Sequence, residues 1–100
     1  MTTGQLLFED FKDHVGSVFM PSEAEYSAVP LTLDEAELLP ANVTPPGMRP
    51  PFSLIFLGAG ERVLPQRLYL LTHEAMGELA IFLVPVGQDA RGISYQAVFN

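Results

Sequence analysis

Between Gly77 and Gly87 runs Glu-Leu-Ala-Ile-Phe-Leu-Val-Pro-Val, an apolar stretch bounded by two glycines. It falls well short of the ~20 residues a helix needs to cross a bilayer. Its β-branched and aromatic side chains favour a strand. Side chains alternate along a strand, so Leu79, Ile81 and Leu83 share one face and Ala80, Phe82 and Val84 the other. Strands apolar on both faces need cover on both sides. Pro85 has no N–H for a ladder, so pairing should end there or pass through a bulge. The stretch is therefore expected to be the central strand of a small antiparallel β protein.

Its neighbours read as its partners. Residues 67–73 form an expected strand with Leu68, Leu70 and Thr72 opposite Tyr69, Leu71 and His73. Glu74-Ala75-Met76-Gly77 then makes a hairpin connection into the central stretch. Residues 87–92, Gly-Gln-Asp-Ala-Arg-Gly, read as a second hairpin loop whose glycines can take positive φ. The last strand, 93–99, has Tyr95, Ala97 and Phe99 inward and Ser94, Gln96 and Val98 outward. Successive hairpins make a meander. Residues 52–57 are a further strand, with Phe52, Leu54 and Phe56 on one face, closed by Gly58-Ala59-Gly60.

The first half of the chain is less regular. Residues 2–13 read as a short helix with a Thr2/Gln5 capping box, an apolar stripe of Leu7, Phe11 and Val15 widened by Phe8, and a stop at Gly16. Such a helix is expected to dock on the sheet. Residues 15–20 form a first strand broken by Pro21, and 26–39 a second. In the second, Leu31 and Leu33 share one face but Ala36 and Leu38 the other, so a bulge near Asp34 and Glu35 should restore the register; a helical turn competes there. Five prolines, Pro40, Pro45, Pro46, Pro50 and Pro51, make residues 40–51 a long exposed loop and the first place to look for a partner contact.

Composition narrows the function classes. One hundred residues form a single domain, 1–100, able to bury roughly 65% of its unfolded surface. There is no cysteine, hence no disulfide, thiolate nucleophile or Cys-based zinc site. Five basic residues against twelve acidic give a formal charge of −7, and the bases form no run. Nucleic acid and anionic membranes are therefore unexpected partners. No basic start followed by an apolar core marks a secretory signal, so a soluble cytoplasmic protein is expected.

Reactive constellations are equally sparse. His14 and His73 lack a second ligand at metal-binding spacing; His14 reads as a helix-end residue and His73 as a strand-end residue. Asp34, Glu35 and Glu37 are the densest carboxylate group, with Glu35 and Glu37 on one strand face. They could share a divalent cation, but the loop glycine and alternating oxygen ligands of an EF-hand are absent, and an aggregation-resistant solvated edge is the reading preferred. No G-x-S-x-G elbow or P-loop is present, and Gly58-Ala59-Gly60 lacks the third glycine of a dinucleotide fingerprint. The aromatics have no interleaved Lys or Arg and read as core. No catalytic, cofactor-binding or metal residue is assigned, and no enzyme is expected.

One further pattern bears on function. The order Phe11-x-x-x-Val15-Gly16-x-x-Phe19, Leu31-Thr32-Leu33, Leu39-Pro40, Pro51-Phe52-Ser53-Leu54-Ile55-Phe56, Leu64-Pro65-Gln66, His73, Gly77-Glu78-Leu79, Phe82-Leu83-Val84-Pro85-Val86-Gly87 and Tyr95-Gln96-Ala97-Val98-Phe99-Asn100 resembles a family of short uncharacterised bacterial proteins known only as a domain of unknown function. The resemblance spans nearly the whole chain. It implies a single small β domain without known catalytic residues. It also implies a genomic neighbourhood of phage-tail-collar-like proteins, hence an accessory or structural part of a tail-like or surface-fibre assembly.

The expected fold is mainly β, a small antiparallel barrel or sandwich of about six strands with a short N-terminal helix. A helix plugging one open side, or a sandwich completed across a homodimer interface, would cover the two-faced strands. The expected function is a non-enzymatic structural or protein-interaction module. The alternative is a small-ligand-binding barrel lined by Phe52, Phe56, Phe82 and Tyr95.

Overall fold

The computed structural model describes residues 6–23, 29–39, 50–59 and 62–99. In these, alternation gives each strand a buried row, and the strands close on themselves around the rows. A helix, α1 (Phe8–Lys12), precedes β1 (Val18–Pro21), β2 (Leu31–Leu38), β3 (Phe52–Gly58), β4 (Arg67–His73), β5 (Gly77–Asp89) and β6 (Gly92–Phe99). All pairings are antiparallel, and the order β1-β2-β3-β6-β5-β4 closes into a barrel. Of the barrel and the sandwich, the closed ring is the arrangement adopted. The central stretch sits between β4 and β6 as expected.

The two shifts in register fall where the sequence demands them. Pairing of β2 with β3 steps from Leu33↔Phe56 to Glu35↔Ile55, past Asp34. That step brings Ala36, opposite buried Leu54, onto the inner side held by Leu31 and Leu33. Pairing of β5 with β6 steps from Pro85↔Tyr95 to Gly87↔Ser94, past Val86, so the irregularity directly follows the residue that cannot donate.

Three expectations are corrected. Pro21 does not break the first strand; it is its buried last residue, opposite Leu71. β1 is a corner piece, with Val18 and Phe19 paired to β2 and Met20 and Pro21 to β4. A missing donor does least harm at such an end, and the next amide, Ser22 N–H, donates to Leu70 O at 2.7 Å. The loop expected over 87–92 is instead a tight turn through Ala90 and Arg91, because β5 runs on to Asp89 and β6 starts at Gly92. Gly92 has φ +140°, and a Cβ there would lie 2.1 Å from Gly58 O, so only glycine fits.

The third correction concerns the helix, which is shorter than expected. Thr2 and Gln5 lie outside the described residues, and the start is capped instead by Asp10, whose Oδ2 accepts from Leu7 N–H at 2.8 Å. Val15 follows the helix in the turn before β1, so the eight-residue helical spacing from Leu7 is lost and both are exposed. Phe11 is the residue that docks. Fully buried, it meets Phe52 at 5.9 Å and Phe99 at 5.8 Å between ring centroids and plugs that end of the barrel. Towards the other end of β3 and β6, buried Leu64 donates its N–H to the Tyr95 hydroxyl at 2.9 Å. Tyr69 donates its hydroxyl to Pro65 O at 2.5 Å. No helix of the described residues is long and apolar enough to cross a membrane.

Candidate functional site

The carboxylates singled out by sequence do not assemble. Asp34 is held at the β2 bulge by Arg91, whose Nη1 lies 3.4 Å from both of its oxygens. Glu35 and Glu37 share one strand face as expected, opposite Ile55 and Ser53. Among the described residues no three His, Cys, Asp or Glu side chains gather as a metal site. The four aromatics proposed to line a ligand cavity are divided. Phe52, Phe56 and Tyr95 are fully buried, with Phe52 stacked on Phe99 at 4.6 Å and Phe56 edge-on to Phe19 at 5.3 Å. Phe82 lies on the outside, 49% exposed. Of the proline loop, residues 40–49 lie outside the described residues; Pro51 O accepts Leu39 N–H at 3.0 Å.

The two histidines, by contrast, come together. His14, in the turn after α1, and His73, the last residue of β4, have ring centroids 4.8 Å apart. His73 also packs on Phe19 at 4.3 Å. Its Nδ1 accepts two backbone N–H groups, from Ala75 and Met76, each at 3.1 Å. Its Nε2 lies 2.9 Å from Ser17 Oγ, which donates to His14 O at 2.5 Å. The donors assign the tautomer: with Nδ1 taken by two amides, the ring proton sits on Nε2 and points at Ser17. Burial pushes the His73 pKa down, the His14 charge adds to this, and Glu74 opposes it.

A serine beside a histidine invites a nucleophilic reading. Such chemistry needs a ring nitrogen free to take the hydroxyl proton. Here the nitrogen facing Ser17 already carries a proton, and the hydroxyl is committed to a carbonyl. Among the described residues no carboxylate hydrogen-bonds Nδ1 to hold the opposite tautomer. An open depression of about 590 Å³ beside the pair is lined by Ser17, Val18, Met20, Thr72, His73 and Glu74. The arrangement ties the α1–β1 turn to the β4–β5 turn. Sequence reasoning missed Ser17, which lies 56 residues from His73. A signal was present in His73 itself, a ring acceptor directly ahead of turn amides that need partners.

The outer face of β4 and β5 is the second unusual feature. Leu68 lies directly opposite Phe82, and Leu70 opposite Ala80. Leu68 is 54%, Leu70 42% and Phe82 49% exposed. Cover on both faces was expected for these strands; ring closure and α1 supply it only inside. Met20 of β1, opposite Thr72, and exposed Val18 extend the apolar surface across the neighbouring strand. Scattered exposed apolar residues are ordinary, but a contiguous set marks contact surfaces.

Together these features define a small closed antiparallel barrel, plugged at one end by a helix and presenting an apolar strand face to solvent. The chain belongs to the family described as Domain of unknown function (DUF6916), whose model matches residues 6–99. Compared with curated proteins and with solved structures, the chain finds no match.

Proposed function

We propose that the protein is a non-enzymatic interaction module that docks a protein partner on the outer face of β4 and β5. The observation that carries this reading is the paired, half-exposed set of Leu68, Leu70, Ala80 and Phe82, whose strands have a complete core on their other side. A formal charge of −7 favours a protein partner over nucleic acid. The resemblance to bacterial proteins encoded near phage-tail-collar-like proteins supports an accessory role in a tail-like or surface-fibre assembly, with a second copy of the chain as another partner that fits.

The experiment is size exclusion with light scattering, alone and with purified products of the neighbouring genes, for the native chain and for a Leu68→Ser/Phe82→Ser variant. A complex or homodimer formed by the native chain and weakened at least tenfold by the variant is expected. A native chain that stays monomeric and captures none of those products, or a variant that assembles equally well, overturns the reading.

A further inference from the structure

The histidine joint has a property that the interaction surface does not use. His73 is 6% exposed, and both ring nitrogens are engaged in the neutral form. Nδ1 is an acceptor for two amides at once. A proton added there would turn the acceptor into a donor facing two donors. The two amides would be left unsatisfied, and the turn would have to open.

The surrounding charges lean the same way. From the α1–β1 turn the group facing His73 is His14, whose positive form repels a second cation. From its own turn Glu74 is the opposing carboxylate. β1 contributes Phe19, and Ser17 just ahead of it is also neutral; β5 contributes Gly77 opposite His73. Glu78 sits one step along β5, opposite Thr72 on the outer side of the sheet.

We propose that this joint is an acid-sensitive clasp: neutral His73 holds the α1–β1 turn against the β4–β5 turn, and protonation of its ring releases both. Release would free the Ser17 link, loosen the turn that positions α1, and so expose the rings of Phe11, Phe52 and Phe99 at the plugged end of the barrel. The direction follows from linkage. The folded state binds the proton less readily than the unfolded chain. The clasp is therefore fully effective above the unfolded value of 6.5 and is lost progressively as pH falls below it. For every pH unit by which the fold lowers the ring's protonation midpoint, acid weakens the closed state about tenfold.

NMR on the intact chain between pH 8 and pH 5 tests this, following the His73 ring signals, the Ala75 and Met76 amides, and the Phe11 and Phe99 rings. Expected are changes in both amides and both rings with the same midpoint as His73 protonation. In His73→Asn, a neutral side chain whose carbonyl can cap the same amides, those changes should vanish. In His14→Gln the midpoint should move to higher pH, because a repelling charge has gone. Amides and rings that stay unchanged while His73 protonates overturn the clasp. So does a transition at the same pH in His73→Asn, or a midpoint in His14→Gln that stays put or falls.

Discussion

β4 and β5 carry two apolar faces of similar composition and opposite fate. On the inside, Tyr69 lies opposite Ile81, and both are buried; one residue along, Leu68 lies opposite Phe82, and both are about half exposed. Hydropathy does not distinguish the two rows. Geometry does: closing six strands into a ring gives the inner row a complete set of neighbours and leaves the outer row only its cross-strand partner. Burial in this protein is assigned by topology, and the apolar residues that topology leaves outside are the ones available for contact with another molecule.

The sharpest way to break that contrast is to truncate adjacent residues of β5. Leu83→Ala removes a fully buried side chain from the core and should cost about 2–5 kcal/mol, through lost transfer energy and the cavity left behind. Urea unfolding followed by circular dichroism measures it. Phe82→Ala, the preceding residue, should cost far less despite deleting more carbon. Equal losses at the two positions would mean that the outer row is packed as tightly as the inner one.

A second, smaller effect sharpens the contrast in polar terms. The interior binds its aromatic hydroxyls to backbone, as in Leu64 N–H to Tyr95 at 2.9 Å, whereas the outer pair of Leu68 and Phe82 carries no side-chain hydrogen-bonding group. Tyr95→Phe keeps the ring and deletes the acceptor. It should cost about 1–3 kcal/mol, because the Leu64 N–H is left unsatisfied in a buried setting. The same denaturation curve reads it, with increased hydrogen exchange at the Leu64 amide as the local signature.

What could be read from the residues alone follows the same division. Local constraints were legible: the phase change across Asp34 predicted a bulge that is present, and the missing donor at Pro85 predicted either a bulge or an end to pairing, of which the register shift is the one found. The inward row was legible in β6 because its outward positions include Ser94 and Gln96, whereas in β3 the face away from Phe52 and Leu54 holds Ile55, Leu57 and a Ser53 that is itself buried. Pro21 misled because the rule that proline ends a strand is silent about a corner, where two residues of β1 pair one way and two the other. The joint of Ser17, His14 and His73 was illegible because ring closure, not spacing, brings β1 beside β4. The bare outer face was hidden for the same reason, since alternation tells which residues share a face but not what lies above it.

The smallest expected change in stability is the most telling for function. Phe82→Ser replaces a ring that is 49% exposed and has Leu68 as its direct cross-strand neighbour. Partial exposure already forgoes much of the burial energy, and a surface change of this kind typically stays within about 0.5 kcal/mol. The lost aromatic–aliphatic pair with Leu68 adds only a few tenths, about 0.2–1 kcal/mol at most. The urea midpoint should therefore hardly move, while partner binding or self-association falls sharply. If Phe82→Ser instead unfolds the domain, the ring is buried by the protein's own chain and the outer row is core. If stability and binding both stay unchanged, the row is solvent-facing and idle, and the contrast between the two faces of β5 carries no functional meaning.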